Sequence, residues 1–263
     1  MISRMRTWLA SLITVLVVVV TSCSNTEAAV EKYDYFRITV DGQQTLGVSG
    51  KDKIVRGVVI FFHGLDGDEF SFSAERVRRE FTAELVDAGF AVVSSAAGGN
   101  AFGNSSSRQN YLYLGGEAAN HYHTENFFLV AESMGALTAV NLMASLQTLR
   151  FRGLAAINPI LDMSTIPTRY KGEFDRAYPN GDFEDSNPIN LPLDSLRDMK
   201  MRFYVSEGVS DVPAAQNALA FKARFGYVSN ISVVKCSGGS GDASCFQGQD
   251  LVKWFSGVEK KNQ

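Results

Sequence analysis

Six consecutive residues, Ala131-Glu132-Ser133-Met134-Gly135-Ala136, set a serine between two patterned stretches. The apolar run 127–131 reads as a buried strand, and Ala136, Leu137, Val140 and Met143 recur at helical spacing. A serine on a sharp strand-to-helix turn is the geometry of an activated nucleophile. Such a turn needs small residues two before and two after the serine, here Ala131 and Gly135, because the helix packs closely on the strand. The start of the helix also aims backbone N–H groups where an oxyanion would form. The competing reading is a serine that caps an ordinary helix.

Serine chemistry needs a base within hydrogen-bond reach and an acid to orient that base. The chain has only 3 histidines, at 63, 121 and 123. His121 and His123 precede the strand that leads to Ser133, so they belong to the opposite end of the sheet. The run 127–131 alone spans about 13 Å at 3.3 Å per residue. The His-x-His pair also raises metal binding, but no third ligand has suitable spacing, so surface or sheet-edge histidines are the competing reading and no metal is assigned. His63 stands in His63-Gly64-Leu65, directly after the apolar run 58–62.

The elements that must position these residues follow from periodicity. The run 58–62 is apolar throughout, as a central parallel strand buried on both faces should be. Strands are expected at 36–40, pairing with 44–48 across Asp41-Gly42, and at 90–93, 127–131, 154–157, 201–205 and 231–234. Helices are expected over 74–88 (Ala74, Val77, Phe81, Leu85, Ala88, with Gly89 as stop), 111–120, from 136, over 214–225 and from about 249. Alternating strands and helices predict an α/β fold, doubly wound around a mostly parallel sheet. Residues 33–258 read as one domain, with 162–198 as a small cap or lid insertion too long for a simple connection.

At this point the chain resembles the α/β-hydrolase superfamily, and more closely small actinobacterial α/β hydrolases. The resemblance covers most of residues 33–258. It rests on His63-Gly64, the Ser133 elbow, Ser186-Asn187-Pro188 and the loop Gly239-Ser240-Gly241-Asp242. It implies Ser133 as nucleophile, the N–H groups of Leu65 and Met134 as oxyanion hole, and His63 as a brace for its loop. It also implies an acid after the strand 201–205, where Asp211 is the candidate. A gapless comparison puts Val209 at that position instead, and a helix N-cap before Pro213 is the other reading of Asp211. The resemblance expects Gly-His-Gly-Asp where this chain has Ser240 in place of the histidine. A hydroxyl has no proton affinity near pH 7, so Ser240 cannot be the base. Substitutes are a rotated His63, which is preferred, the Asp242 carboxylate, or a group on the substrate.

Residues 1–22 read as a lipoprotein signal peptide: Arg4 and Arg6, an apolar run over 9–20, then Val20-Thr21-Ser22-Cys23. These last four resemble a bacterial lipobox, in which Cys23 would be lipidated with palmitate-type chains and residues 23–32 would form a tether. A signal anchor is the alternative. The apolar run is shorter than the roughly 20 residues that span a bilayer. Cleavage removes two of 25 positive charges and none of the 28 negative ones, taking the net charge from −3 to −5. The expected location is the extracytoplasmic face of the membrane, held by lipid. Cys236 and Cys245 then form an even pair in an oxidising compartment, predicting a disulfide, with two buried free thiols as the alternative.

The acidic balance argues against a nucleic-acid partner. The elbow lacks a Walker lysine, and Gly238–Gly241 lacks the G-x-G-x-x-G spacing, so no nucleotide cofactor is expected. Two functions stand. One is a serine esterase or lipase-type hydrolase with a degenerate or non-standard triad. The other is a pseudo-hydrolase binding a small acyl, ester or lipid ligand, a peptide or a protein.

Overall fold

The computed structural model describes residues 32–145, 151–208, 210–239 and 242–260. Strands β1 (Tyr33–Phe36), β2 (Thr39–Val40) and β3 (Gln43–Gly50) open the domain, followed by β4 (Gly57–Phe62), helix α1 (Arg76–Asp87) and β5 (Phe90–Ser95). Then come α2 (Ser105–Tyr122), β6 (Phe127–Glu132), α3 (Gly135–Ser145) and β7 (Phe151–Ile157). After a stretch of 3₁₀ turns and the short helix α4 (Lys171–Ala177), the chain finishes with β8 (Lys200–Ser206), α5 (Ala218–Phe225), β9 (Asn230–Cys236) and α6 (Gly248–Lys260).

The strand order is β1-β3-β5-β4-β6-β7-β8-β9, with β2 pairing to β3. Pairing is parallel from β5 through β9 and antiparallel among β1, β2, β3 and β5. Alternation along β4 explains the two-sided core. Val58, Ile60 and Phe62 face α2, α3 and α5, while Val59 and Phe61 face α1 and α6. Each of these five is at most 2% exposed, as an apolar run covered on both faces requires.

Sequence order leaves β4 in one direction to reach β5, then crosses to β6 on its other side. Ligands of open α/β sheets bind at such a switch point, outside the carboxyl ends of the strands. Register puts Phe62 opposite Ala131, so the segments leaving β4 and β6 emerge side by side.

Local chemistry explains where the elements depart from their predicted bounds. The strand expected at 36–40 is broken in two, because β1 and β2 both pair with β3, on either side of Arg37-Ile38. Asp41 (φ 49°) and Gly42 (φ 75°) make the left-handed turn to β3. Helix α1 begins at Arg76, leaving Ala74 exposed outside it. Helix α2 starts six residues earlier than the predicted 111, since Asn104 caps it by accepting from the Ser107 N–H. Helix α5 begins at Ala218, not 214, because the buried Asn217 side chain accepts from the Leu161 and Asp162 N–H groups.

Candidate active site

Ser133 leaves β6 in the left-handed region, φ 48°. For a residue with a side chain this costs on the order of 1–2 kcal/mol, so the surroundings must fix it. They do so through the main chain. The Ser133 N–H donates to the Ile157 carbonyl (2.9 Å), and the Ser133 carbonyl accepts from Ile160 (3.0 Å) and Ala136 (3.2 Å). Gly135 is required by close approach: a methyl there would lie 2.3 Å from the Phe62 carbonyl oxygen and 2.7 Å from that of His63. The start of α3 therefore presses directly on the end of β4.

On the β4 side, a methyl placed on Gly64 would sit 3.5 Å from the Ser133 Cβ, which measures how near the two segments run. Leu65 follows, and its loop is held by reciprocal bonds: the Asp66 N–H donates to Asn100 Oδ1 (2.7 Å), and Asn100 Nδ2 donates to Asp66 Oδ1 (2.8 Å). Among the described residues, the Ser133 hydroxyl and the N–H groups of Leu65 and Met134 have no intramolecular hydrogen-bond partner. Ser133 and Leu65 line a cleft of about 210 Å³ together with Gly64, Asn158, Arg169 and Asp211.

Among the described residues, no histidine or carboxylate is hydrogen-bonded to the Ser133 hydroxyl. His63 is 3% exposed, with Nδ1 2.8 Å from the Gly64 carbonyl oxygen and Nε2 3.1 Å from that of Ala96. Each nitrogen faces a main-chain carbonyl, and the tautomer decides which of the two the ring's N–H donates to. Turning it towards Ser133 would forfeit both contacts. His121 stacks on Phe36 (4.2 Å between centroids) in the last turn of α2, and His123 is that helix's left-handed C-cap. Both precede the start of β6, whose far end leads into Ser133. Among the described residues no group of His, Cys, Asp and Glu could hold a metal ion.

Asp211 lines the cleft, but its carboxylate accepts from Arg169 (2.5 Å). The guanidinium beside it holds the Asp211 carboxyl below its ordinary range. Asp211 caps no helix, since α5 begins at Ala218. Asp242 caps the turn Ala243–Cys245, and the hydrogen bonds from Ser244 lower its pKa, making it a weaker base. Ser240, Val209 and Cys23 lie outside the described residues. Cys236 and Cys245 are joined in a disulfide, with both residues buried.

Several residues of the site escape sequence reasoning. Glu132 is held by Arg78 of α1 through two bonds (3.0 and 2.5 Å), which neutralises the charge next to Ser133. Asn158, in the left-handed region (φ 43°), donates to Ser206 Oγ (2.9 Å) and accepts from the Ser206 N–H (2.8 Å). Ser206 Oγ in turn donates to the Gly239 carbonyl (2.8 Å). The ends of β7 and β8 and the loop after β9 are thus linked by neutral groups, without a carboxylate. An Asn-Pro pair directly after an apolar strand was a readable turn signal for Asn158. Nothing local marked Glu132 or Ser206.

No family model and no curated protein sequence matches the chain. Solved structures do. Carboxyl esterase 2 of the mycorrhizal fungus Tuber melanosporum superposes with a TM-score of 0.63 at 13% identity, over 90% of this chain and 89% of that one. The structural study of fungal esterases from Rhizomucor miehei gives 0.65 at 14%, over 87% and 83%. Brefeldin A esterase, a bacterial homologue of human hormone sensitive lipase, gives 0.60 at 17%, over 87% and 77%. At such identities the likeness speaks for architecture alone, and with the sheet order and flanking helices it gives this chain the α/β-hydrolase fold of these esterases.

Proposed function

We propose that this protein is a serine hydrolase of the carboxylic-ester type with a non-standard triad, carried on the extracytoplasmic face of the membrane by a lipid on Cys23. One observation carries the reading: Ser133 is held in the left-handed region at the end of β6, and its hydroxyl, which has no partner among the described residues, opens on a cleft that Leu65 also lines. In this mechanism Ser133 Oγ attacks the ester carbonyl carbon, and the carbonyl oxygen takes the negative charge against the N–H groups of Leu65 and Met134. The hydroxyl proton must pass to a base, and the alcohol leaves with a proton as the acyl group stays on Ser133. Water then releases the acid. Loss of a triad base costs about 10⁶ in kcat, while an intact oxyanion hole with binding retains about 10³ to 10⁴ over water, so turnover should be slow.

The placement of His63 and Asp211 favours a second reading, a pseudo-hydrolase that binds an acyl-bearing ligand or a partner without turning it over. The buried His63 ring faces the Gly64 and Ala96 carbonyls, and Asp211 is bonded to Arg169. The Cys236–Cys245 disulfide supports an oxidising compartment in either case.

A fluorophosphonate probe and short-chain p-nitrophenyl esters decide between the two, with native protein beside Ser133→Ala and Ser240→His. Labelling and slow turnover lost in Ser133→Ala are the expected result. An inert native chain that gains activity in Ser240→His would overturn the enzyme and establish the degenerate triad.

A further inference from the structure

Of the described residues that line the Ser133 cleft, Glu132, Arg169 and Asp211 carry charge. Both Glu132 oxygens already accept from Arg78, and the two side chains are only 14% and 16% exposed. On the Leu65 side, Asp66 gives one oxygen to Asn100 and the other to the Tyr170 hydroxyl (3.0 Å). Arg169 is differently placed. Its Nη2 donates to Asp211 Oδ2 (2.5 Å), whereas a guanidinium carries five N–H donors in a rigid planar fork. The pair is 57% and 59% exposed, and exposed pairs are weak, so a second anion can take the place of Asp211.

Of that pair, the cation is the member fixed to the cleft. Arg169 lies in the 3₁₀ turn Thr168–Tyr170, in which the Tyr170 N–H donates to the Pro167 carbonyl (2.9 Å). The guanidinium stands over the Tyr170 ring, 4.9 Å from its centroid, and the far end of that ring is tied to Asp66. Stack and tie orient the fork without help from Asp211. Asp211 lies in irregular chain between β8 and α5.

We propose that Arg169 sets the ligand class of the Ser133 cleft: it receives an anionic oxygen group, such as a carboxylate, carried by the molecule that Ser133 engages, and Asp211 is the internal competitor for that place. The inference rests on the reading above, in which Ser133 faces the ligand, and adds the charge of that ligand. Arg169 is a specificity residue here and takes no part in bond making. The fork of a guanidinium matches a carboxylate through two parallel bonds, which is stronger than the single bond it makes to Asp211.

The test is independent of catalysis. In the full-length protein in detergent, at low ionic strength, Ser133→Cys is treated with three methanethiosulfonates of similar size. One carries a sulfonatoethyl group (anionic), one trimethylammonioethyl (cationic) and one hydroxyethyl (neutral). The introduced thiolate attacks the sulfenyl sulfur, a mixed disulfide forms, and methanesulfinate leaves with the bonding pair. Modification at position 133 is followed by peptide mass mapping, and each rate is divided by that of the same reagent with the urea-unfolded protein. We expect the anionic reagent to be favoured over the cationic one about tenfold, within the range of electrostatic steering. The formal net charge of −3 opposes this, so the preference would be local to the cleft. Arg169→Gln should bring the ratio to one or below, and Asp211→Asn should raise it by a further factor of about three. The neutral reagent should react alike in all of them, which separates charge from access. A ratio of one or below in Ser133→Cys, a ratio unaltered by Arg169→Gln, or one lowered by Asp211→Asn would each overturn the inference alone. A folded-state thiol inert to all three reagents would overturn it together with the reading that Ser133 faces a ligand. Failure of native protein to hydrolyse any ester would sink the catalytic reading and leave the charge preference standing.

Discussion

The Asp211 carboxylate lines the Ser133 cleft, yet its hydrogen bond comes from Arg169, 42 residues earlier in the chain. Both side chains are more than half exposed, so solvent screens the pair and little stability rests on it. Its consequence is protonic. A carboxyl whose folded pKa is depressed contributes whatever stability it has above its unfolded pKa, and loses it as pH falls through the folded value. Replacing the cation, Arg169→Gln, should raise the Asp211 pKa towards its ordinary value of about 3.9. A carbon-detected NMR titration of Asp211 reads this directly, and an unmoved midpoint would show that Arg169 is not the cause. Ser133, Ala131 and Gly135 were legible because a strained turn admits few residue types. The Asp211 pairing was not legible, since nothing in the residues around 211 encodes a partner from the cap. The N-cap reading of Asp211 failed for a related reason: buried Asn217 draws the chain towards Leu161 and delays α5.

Elements whose burial is two-sided could be read from composition, and elements set by polar contacts could not. Strand β4 was plain from five apolar residues, whereas the true start of α2 depends on the Asn104 cap inside a stretch that reads as loop. Helix α6 shows the same contrast. Its apolar face, including Leu251 and Phe255, packs on the sheet. Its first turn is pinned by Asp250, which accepts two bonds from Arg202 of β8 (2.8 and 2.9 Å) and one from the Tyr204 hydroxyl (2.8 Å). Burial and this carboxylate hold the Tyr204 phenol well above its ordinary pKa. Asp250→Asn leaves a neutral amide with one acceptor oxygen for three donors, part-buried. The expected loss is about 1–3 kcal/mol, in the range of hydrogen bonds to charged groups. It should appear as a lower urea midpoint with an unchanged slope. A midpoint equal to the native one would mean that apolar packing alone seats α6.

At the scale of the whole molecule, the fold brings the ends of β4 and β6 together at a switch point and leaves the histidines at 121 and 123 ahead of the start of β6. Alternating strand and helix patterns carried this much, because a parallel sheet covered on both faces leaves few arrangements. The scarcity of histidines was plain in the sequence; what patterning could not carry was which groups the His63 ring faces, here the Gly64 and Ala96 carbonyls. The proposed lipid anchor, Cys23, precedes the described residues, which begin at Lys32. No helix among the described residues is long and apolar enough to cross a membrane. If attachment is by lipid on Cys23, two acyl signals account for stable anchoring where a single chain would give marginal binding. Cys23→Ala should then move the protein from the membrane pellet to the soluble fraction and from the detergent to the aqueous phase on detergent partitioning. Its reactivity at Ser133 should be unchanged, because the described residues that line the cleft fall between Gly64 and Val212. Retention of Cys23→Ala in the membrane would replace the lipid anchor with an uncleaved apolar segment over residues 9–20.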